Sequence, residues 1–181
     1  MRHMQKASKA CGTAQSPRSG KQVDMARTDY YNDPNAPEAN SIVVAVTAFV
    51  QDKHGRLLMI RRTDNDMYSI PGGAQDIGET VGHAVIREVK EETGIDVEPV
   101  NLIGIYSDPN HIIEYTNGEV RQQFSICFRA IPVGGNLQTS DESSEVIWVD
   151  QEDLYKLNIH PSIRMRIEHG NQNQEKAYFS I

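Results

Sequence analysis

Cysteine is nearly missing from this chain: the 181 residues include two, Cys11 and Cys127. Two cysteines cannot staple a disulfide scaffold or supply a four-cysteine zinc site, and the expectation is a reducing, cytoplasmic setting. No run of about 18 apolar residues occurs, so no membrane-spanning helix is expected. The first ten residues are basic, but no apolar stretch follows them, so a secretory signal is not expected either. A G-x-S-x-G nucleophile elbow is absent. Ser19-Gly20-Lys21 hints at a P-loop, but Gln15 and Gln22 stand where that motif needs Gly and Ser or Thr. The six histidines show no H-E-x-x-H spacing, and His83 stands alone.

The charge that is present is uneven. Residues 1–29 carry six Lys/Arg and two Asp/Glu, whereas residues 30–181 carry 12 and 23. An acidic globular part argues against bulk nucleic-acid binding, which needs a basic face. It is compatible with a phosphorylated small molecule if a divalent cation sits between the two. The length fits one domain. Residues 1–40 have no apolar period and read as a polar N-terminal arm or tail, with Tyr30 and Tyr31 opening a turn-rich lead-in; residues 41–181 read as the domain.

Ile42 to Val50 is apolar at both parities, as in a strand covered on both faces. After the turn at Asp52-Lys53-His54-Gly55, Leu57 to Ile60 reads as a second strand. Val81, Val85 and Val89 form one helical stripe within 80–93, and Gly94 stands where a helix-ending glycine belongs. Val100–Tyr106 and His111–Thr116 read as separate strands, and Asn117-Gly118 turns the latter into Glu119–Ile131. Within that strand Phe124, Ile126, Phe128 and Ala130 are expected to face the core, with Ser125, Cys127 and Arg129 opposite. Val146–Val149 is a last strand, and Gln151–Leu157 and Pro161–His169 read as helical. The pattern predicts an α/β or α+β sandwich around a mixed sheet.

The chemistry concentrates between Gly73 and Ile95. Glu88, Glu91 and Glu92 share one helical face at i, i+3 and i+4. Like charges at that spacing are unfavourable by about 0.2–0.5 kcal/mol a pair, more when half-buried, and a hard cation with oxygen ligands would offset them. An ordinary solvated face is the alternative, since Arg87 and Glu91 are an i, i+4 pair of opposite sign.

Gly73, Glu79, Arg87, Glu88, Val89, Glu91, Glu92, Gly94 and Ile95 occupy every fixed position of G-x5-E-x7-R-E-U-x-E-E-x-G-U, with U aliphatic. The segment thereby resembles the Nudix box of the Nudix hydrolases. The surrounding pattern resembles that family over about 42–169. The resemblance implies a Nudix fold, an α/β/α sandwich around a mixed β-sheet. It implies cleavage of a nucleoside diphosphate linked to another group, with Mg²⁺ or sometimes Mn²⁺. By similarity Glu88 and Glu92 are metal ligands, Glu91 is a ligand or the base that positions water, and the Gly72 carbonyl completes the site. Glu79 and Arg87 would pair to hold loop against helix. The Pro71-Gly72-Gly73 turn would let backbone approach metal and phosphate.

A further carboxylate in this family often lies outside the box. Asp141, Glu142 and Glu145 are the candidates, Glu142 first and Glu145 second. Arg61 and Arg62 are placed to touch phosphate, and Tyr106 and Tyr115 to stack on a base. Pro109, 15 residues after Gly94, resembles a proline of the ADP-ribose-cleaving members. The array S-Q-P-W-P-F-P-Q-S of NADH-cleaving members is absent. The expected partner is a small nucleoside diphosphate derivative, ADP-ribose or a nucleotide sugar first. Nucleoside triphosphate pyrophosphohydrolysis and nucleotide sensing without cleavage remain alternatives, and the resemblance leaves a homodimer open.

Overall fold

The computed structural model describes residues 27–181. Most of the arm expected over residues 1–40 therefore lies outside the described residues. Its end does not hang free: Arg27–Tyr31 forms strand β1. There follow β2 (Ser41–Ile42), β3 (Ala45–Val50), β4 (Leu57–Arg62) and β5 (Tyr68–Ser69). Helix α1 (Val81–Thr93) precedes β6 (Ile95–Tyr115), β7 (Val120–Gly135) and β8 (Ser143–Val149). A 3₁₀ turn (Gln151–Lys156), helix α2 (Pro161–Gln172) and β9 (Tyr178–Phe179) complete the fold.

One sheet is mixed. β6 pairs antiparallel with β1 and β7 and parallel with β9, while β2 and β3 lie parallel to β7. The other is antiparallel, in the order β5-β4-β8. Two cores explain the three layers. Val46, Ala48, Leu58 and Ile60 pack with Ala84, Val85 and Val89 of α1. The alternate residues Phe49, Leu57 and Met59 pack with Ile103, Tyr106 and Ile167, under α2. Strands β3 and β4 are thus covered on both faces, as their unbroken apolar runs require. Among the described residues no helix is long and apolar enough to cross a membrane.

Four expectations need correction. The first strand is split: Ile42 is 61% exposed in β2, and the double-covered run begins at Ala45. Residues 107–110 do not form a turn but lie inside β6, whose pairing with β7 slips between Asp108 and Ile112. Pro109 sits in that slip, where a missing amide proton is tolerated. On β7, Ser125 and Cys127 are fully buried while Phe124, Ile126 and Phe128 are only partly so. The polar-looking face lies under α2, while Ala130 and Phe128 of the other face join the α1 core, so both faces are covered where alternation predicted one. Gln151–Lys156 is 3₁₀ rather than α-helical.

Candidate functional site

Helix α1 is specified at both ends. Thr80 caps it by accepting a hydrogen bond from the His83 amide, and Gly94 closes it at φ +74°, a left-handed conformation that favours glycine. With the valine stripe on the core, Glu92 falls at the buried edge and is 3% exposed. Glu88 is largely buried, and Glu91, a turn further round, is 61% exposed.

The loop before α1 runs along the free edge of β3. The Gly73 carbonyl accepts from Val46 N–H at 2.8 Å, and the Pro71 carbonyl from Ala48 N–H at 2.9 Å. This fixes the Gly72-Gly73 backbone against the acidic face. Gly72 N–H donates to Glu92 Oε2 at 2.7 Å. A Cβ on Gly72 would fall 2.1 Å from the Val46 carbonyl oxygen, and one on Gly73 would fall 2.5 Å from Glu88 Oε2. Only glycine lets backbone and carboxylates approach this closely.

Arg87 ties loop to helix. Its Nε and Nη2 donate to the two oxygens of Glu79 at 2.7 and 3.0 Å, and Nη2 also donates to the Ala74 carbonyl at 3.0 Å. Its Nη1 reaches Glu88 at 2.8 Å and Glu91 at 3.1 Å. The Arg87 hydrogen bonds pull the Glu79 carboxyl down to about 2, and these carboxylates push the guanidinium above its ordinary value. The loop and helix are thus clamped to one another through Arg87.

Glu92 behaves oppositely. Burial pushes its carboxyl up to about 8, and the negative charges of Glu88 and Glu142 add to the rise; Gly72 N–H and Arg62 oppose it. Burial also raises Glu88, with Glu91 and Glu142 adding and Arg87 opposing. Three carboxylates therefore repel one another, two of them buried or largely buried and the third, Glu142, exposed. Such a donor set, oxygen-only and mutually repulsive, fits a hard divalent cation.

The surface opens into a cleft of about 220 Å³. Its floor uses alternate residues of neighbouring strands: Ala45 and Thr47 of β3, His111, Ile113 and Tyr115 of β6, and Arg121, Gln123 and Ser125 of β7. Gly72, Gly73, Arg62 and Glu142 line it near the carboxylates, and His160, Ser162 and Arg166 line it from α2. Strand β1 contributes Arg27 and Asp29.

The outside candidates separate. Glu142 lines the cleft and its charge acts on Glu88, Glu92 and Arg62. Glu145 is engaged elsewhere, accepting from the Tyr68 hydroxyl at 2.5 Å. Arg62 lines the cleft, with its Nε and Nη2 donating to the two oxygens of Asp64, each at 2.9 Å. Arg61 is turned out onto Asp66 at 2.7 Å and is not part of the cleft lining. Tyr106 is not there either. It lies in the α2 core, stacked near His169 and Tyr178, with its hydroxyl 2.9 Å from His169 Nδ1. Beyond the slip in β6, Tyr115, with Arg121 4.7 Å from its ring centroid, lines the cleft, as does Tyr68.

Sequence reasoning missed the α2 end of the cleft. Asp29, His111 and His160 place one ligand-type atom each within 4.8 Å of one another. His111 Nε2 lies 3.0 Å from Asp29, and His160 Nε2 lies 3.8 Å from it. His160 Nδ1 accepts the Ser162 amide at 3.2 Å in capping α2, which leaves the proton of a neutral ring on Nε2, facing Asp29. Burial lowers the proton affinity of His160; Asp29 opposes this, and His111, Arg166 and Arg27 add to the fall. This corner is arranged as hydrogen-bonded pairs in a positive field, and it differs from the all-carboxylate face of α1. No spacing in the sequence marks these residues, because β1, β6 and α2 bring them together from 82 and 49 positions apart.

Comparison with known proteins assigns this loop–helix carboxylate face and its cleft to a class of hydrolases. The family model of the NUDIX domain matches residues 42–168. The chain belongs to the Nudix family and is a Nudix pyrophosphohydrolase. It is similar to a MutT-like protein of Streptomyces ambofaciens, 38% identical over 122 residues, 67% of this chain and 71% of that one. It is 37% identical to an ADP-ribose pyrophosphatase of Methanocaldococcus jannaschii over 117 residues, 63% of this chain and 65% of that one. Among solved structures, a MutT protein from Methanosarcina mazei aligns with a TM-score of 0.60 at 24% identity, over 78% of this chain and all of that one.

Proposed function

We propose that this chain hydrolyses the phosphoanhydride of a nucleoside diphosphate joined to a second group, with ADP-ribose or a nucleotide sugar as the substrate class, and that it does so with Mg²⁺ or Mn²⁺. The observation that carries the reading is the buried pair Glu88 and Glu92 against the Gly72-Gly73 backbone, with the exposed Glu142 repelling both from the cleft wall. Glu88 and Glu92 would hold the cation, with Glu142 and the Gly72 carbonyl beside them. When bound, the cation supplies positive charge against the phosphate oxygens and lowers the pKa of an attacking water. Glu91, exposed on the same face, accepts the proton of that water, in keeping with the need for a carboxylate within hydrogen-bond reach. Arg87 and Glu79 hold the loop so that these oxygens keep their places. Arg62 faces the phosphates, and Tyr115 and Arg121 offer flat surfaces to a base or ribose.

The name of the archaeal relative supports ADP-ribose. A second reading, a nucleotide-sanitising pyrophosphohydrolase, has support from the 8-oxo-dGDP phosphatase of Danio rerio, 24% identical over 148 residues but matched over only 42% of its length. The test is a product-resolved hydrolysis screen with Mg²⁺ across ADP-ribose, nucleotide sugars, dinucleotides and (deoxy)nucleoside di- and triphosphates, with E92Q as control. Preferred cleavage of ADP-ribose or a nucleotide sugar, lost in E92Q, is the expected result. Preference for a nucleoside di- or triphosphate would select the second reading, and binding without turnover would make the protein a sensor.

A further inference from the structure

Arg166 has no role in the chemistry above, yet it lines the cleft at 2% exposure. It sits one turn after Ser162 on α2, so the two share a face, and Ser162 is buried as well. No described residue hydrogen-bonds or ion-pairs with its side chain, and its Nε is buried without a partner. Its neighbours are the Tyr106 ring, 5.2 Å from the guanidinium carbon, and the Cys127 thiol. No described carboxylate acts on Arg166: Asp29 is held by His111 at 3.0 Å, and Asp64 by Arg27 at 3.0 Å and Arg62 at 2.9 Å. Arg166 is therefore a surplus cation, and a buried guanidinium without a counter-charge costs several kcal/mol. An anion entering the cleft would relieve that cost.

We propose that Arg166 binds a second anionic group, a carboxylate or phosphate, carried by the substrate beyond its phosphoanhydride. This rests on the reading that the phosphoanhydride lies against Glu88 and Glu92. The two ends of the cleft are electrostatically distinct: Arg62 acts on Glu92 and Glu142, whereas Arg166 is coupled to none of the box carboxylates. A pyrophosphate held at one end leaves Arg166 for a different group. The substrate class then narrows to nucleoside diphosphate derivatives with an acidic distal part.

Matched ligands test this. Binding to the full chain is measured by calorimetry in EDTA for UDP-glucuronate against UDP-glucose, and for ADP-ribose 2′-phosphate against ADP-ribose. A charge-assisted hydrogen bond to Arg166 predicts at least about tenfold tighter binding of the acidic member of one pair. The pair that responds says whether the group is a carboxylate or a phosphate. In R166M the preference falls to about twofold or less, and in R166K part of it is retained because the charge survives without the planar fork. Should R166M fold poorly, the R166K ratio decides. Equal affinities in both pairs, no binding of any member, or a ratio unmoved by the substitutions overturns the proposal. Turnover with Mg²⁺ is read separately. Hydrolysis without preference removes the anion site and keeps the hydrolase, whereas preferential binding without hydrolysis does the reverse.

Discussion

Glu92→Gln should make the metal-free protein more stable at neutral and alkaline pH while destroying its response to Mg²⁺. The Glu92 carboxyl is held at about 8, against an ordinary 4.5. An acid whose pKa is raised by folding opposes folding once it must ionise. The penalty is absent below pH 4.5, grows from there to about 8, and is constant above. At about 1.4 kcal/mol per pH unit it reaches about 3 kcal/mol at pH 7. Glutamine keeps an oxygen for the Gly72 amide but adds an NH₂ group that needs an acceptor, returning about 1 kcal/mol. The net gain of about 2 kcal/mol corresponds to a rise of about 4–8 °C in melting temperature for a domain of this size. The assay is thermal unfolding from pH 5 to 9, in EDTA and in excess Mg²⁺. In EDTA the two curves converge near pH 5 and separate as pH rises, with E92Q above. In Mg²⁺ the wild-type curve climbs, more so at higher pH because cation and proton compete for one carboxylate, and E92Q stays in place. If E92Q melts at or below wild type in EDTA at pH 8, or the gap is independent of pH, the account of this carboxylate is wrong.

Three further outcomes follow from the same geometry. G73A puts a methyl group 2.5 Å from the movable Glu88 carboxylate rather than into backbone, so turnover should drop about a hundredfold while the melting temperature hardly changes. R87M removes the clamp on Glu79 and Ala74; turnover should fall at least tenfold, and chemical denaturation should show a loss of about 2 kcal/mol, limited by the partial exposure of the pair. E142A should lower Mg²⁺-dependent turnover about tenfold by weakening the cation, whereas E145A should retain turnover and lose about 1 kcal/mol of stability by stranding the Tyr68 hydroxyl. The reverse ranking in steady-state kinetics would show that Glu145 is the acting carboxylate.

What could be read in advance was whatever is local. The valine stripe, Thr80 and Gly94 lie within one helix, so α1 and the shared face of Glu88, Glu91 and Glu92 followed from periodicity. Glycines at 72 and 73 signalled a close approach before anything showed that Val46 and Glu88 are what they approach. Long-range features were not legible. Tyr106 and Tyr115 are nine residues apart and would face opposite sides of a regular strand; the slip between Asp108 and Ile112 puts both on the α2 side, where one is covered in the core and the other lines the cleft. Arg61 and Arg62 are adjacent, yet strand alternation gives them opposite destinations. Arg166 reads as an ordinary surface arginine, because its isolation depends on Asp29 and Asp64 being engaged by partners far away in the chain.

Strand β1 sets where the protein can safely be cut. The family match begins at residue 42, and a truncation there would look harmless. It would remove the strand that pairs Arg27–Tyr31 with Tyr115–His111, leaving that length of β6 as an unpaired row of amides and carbonyls. Such an edge recruits strands from other molecules, so the shortened protein should self-associate as its concentration rises. It would also strip Asp29 from His111 and Arg27 from Asp64, changing the charge of the cleft before any ligand arrives. For this chain the working boundary of the enzyme lies some fifteen residues ahead of the boundary of its family.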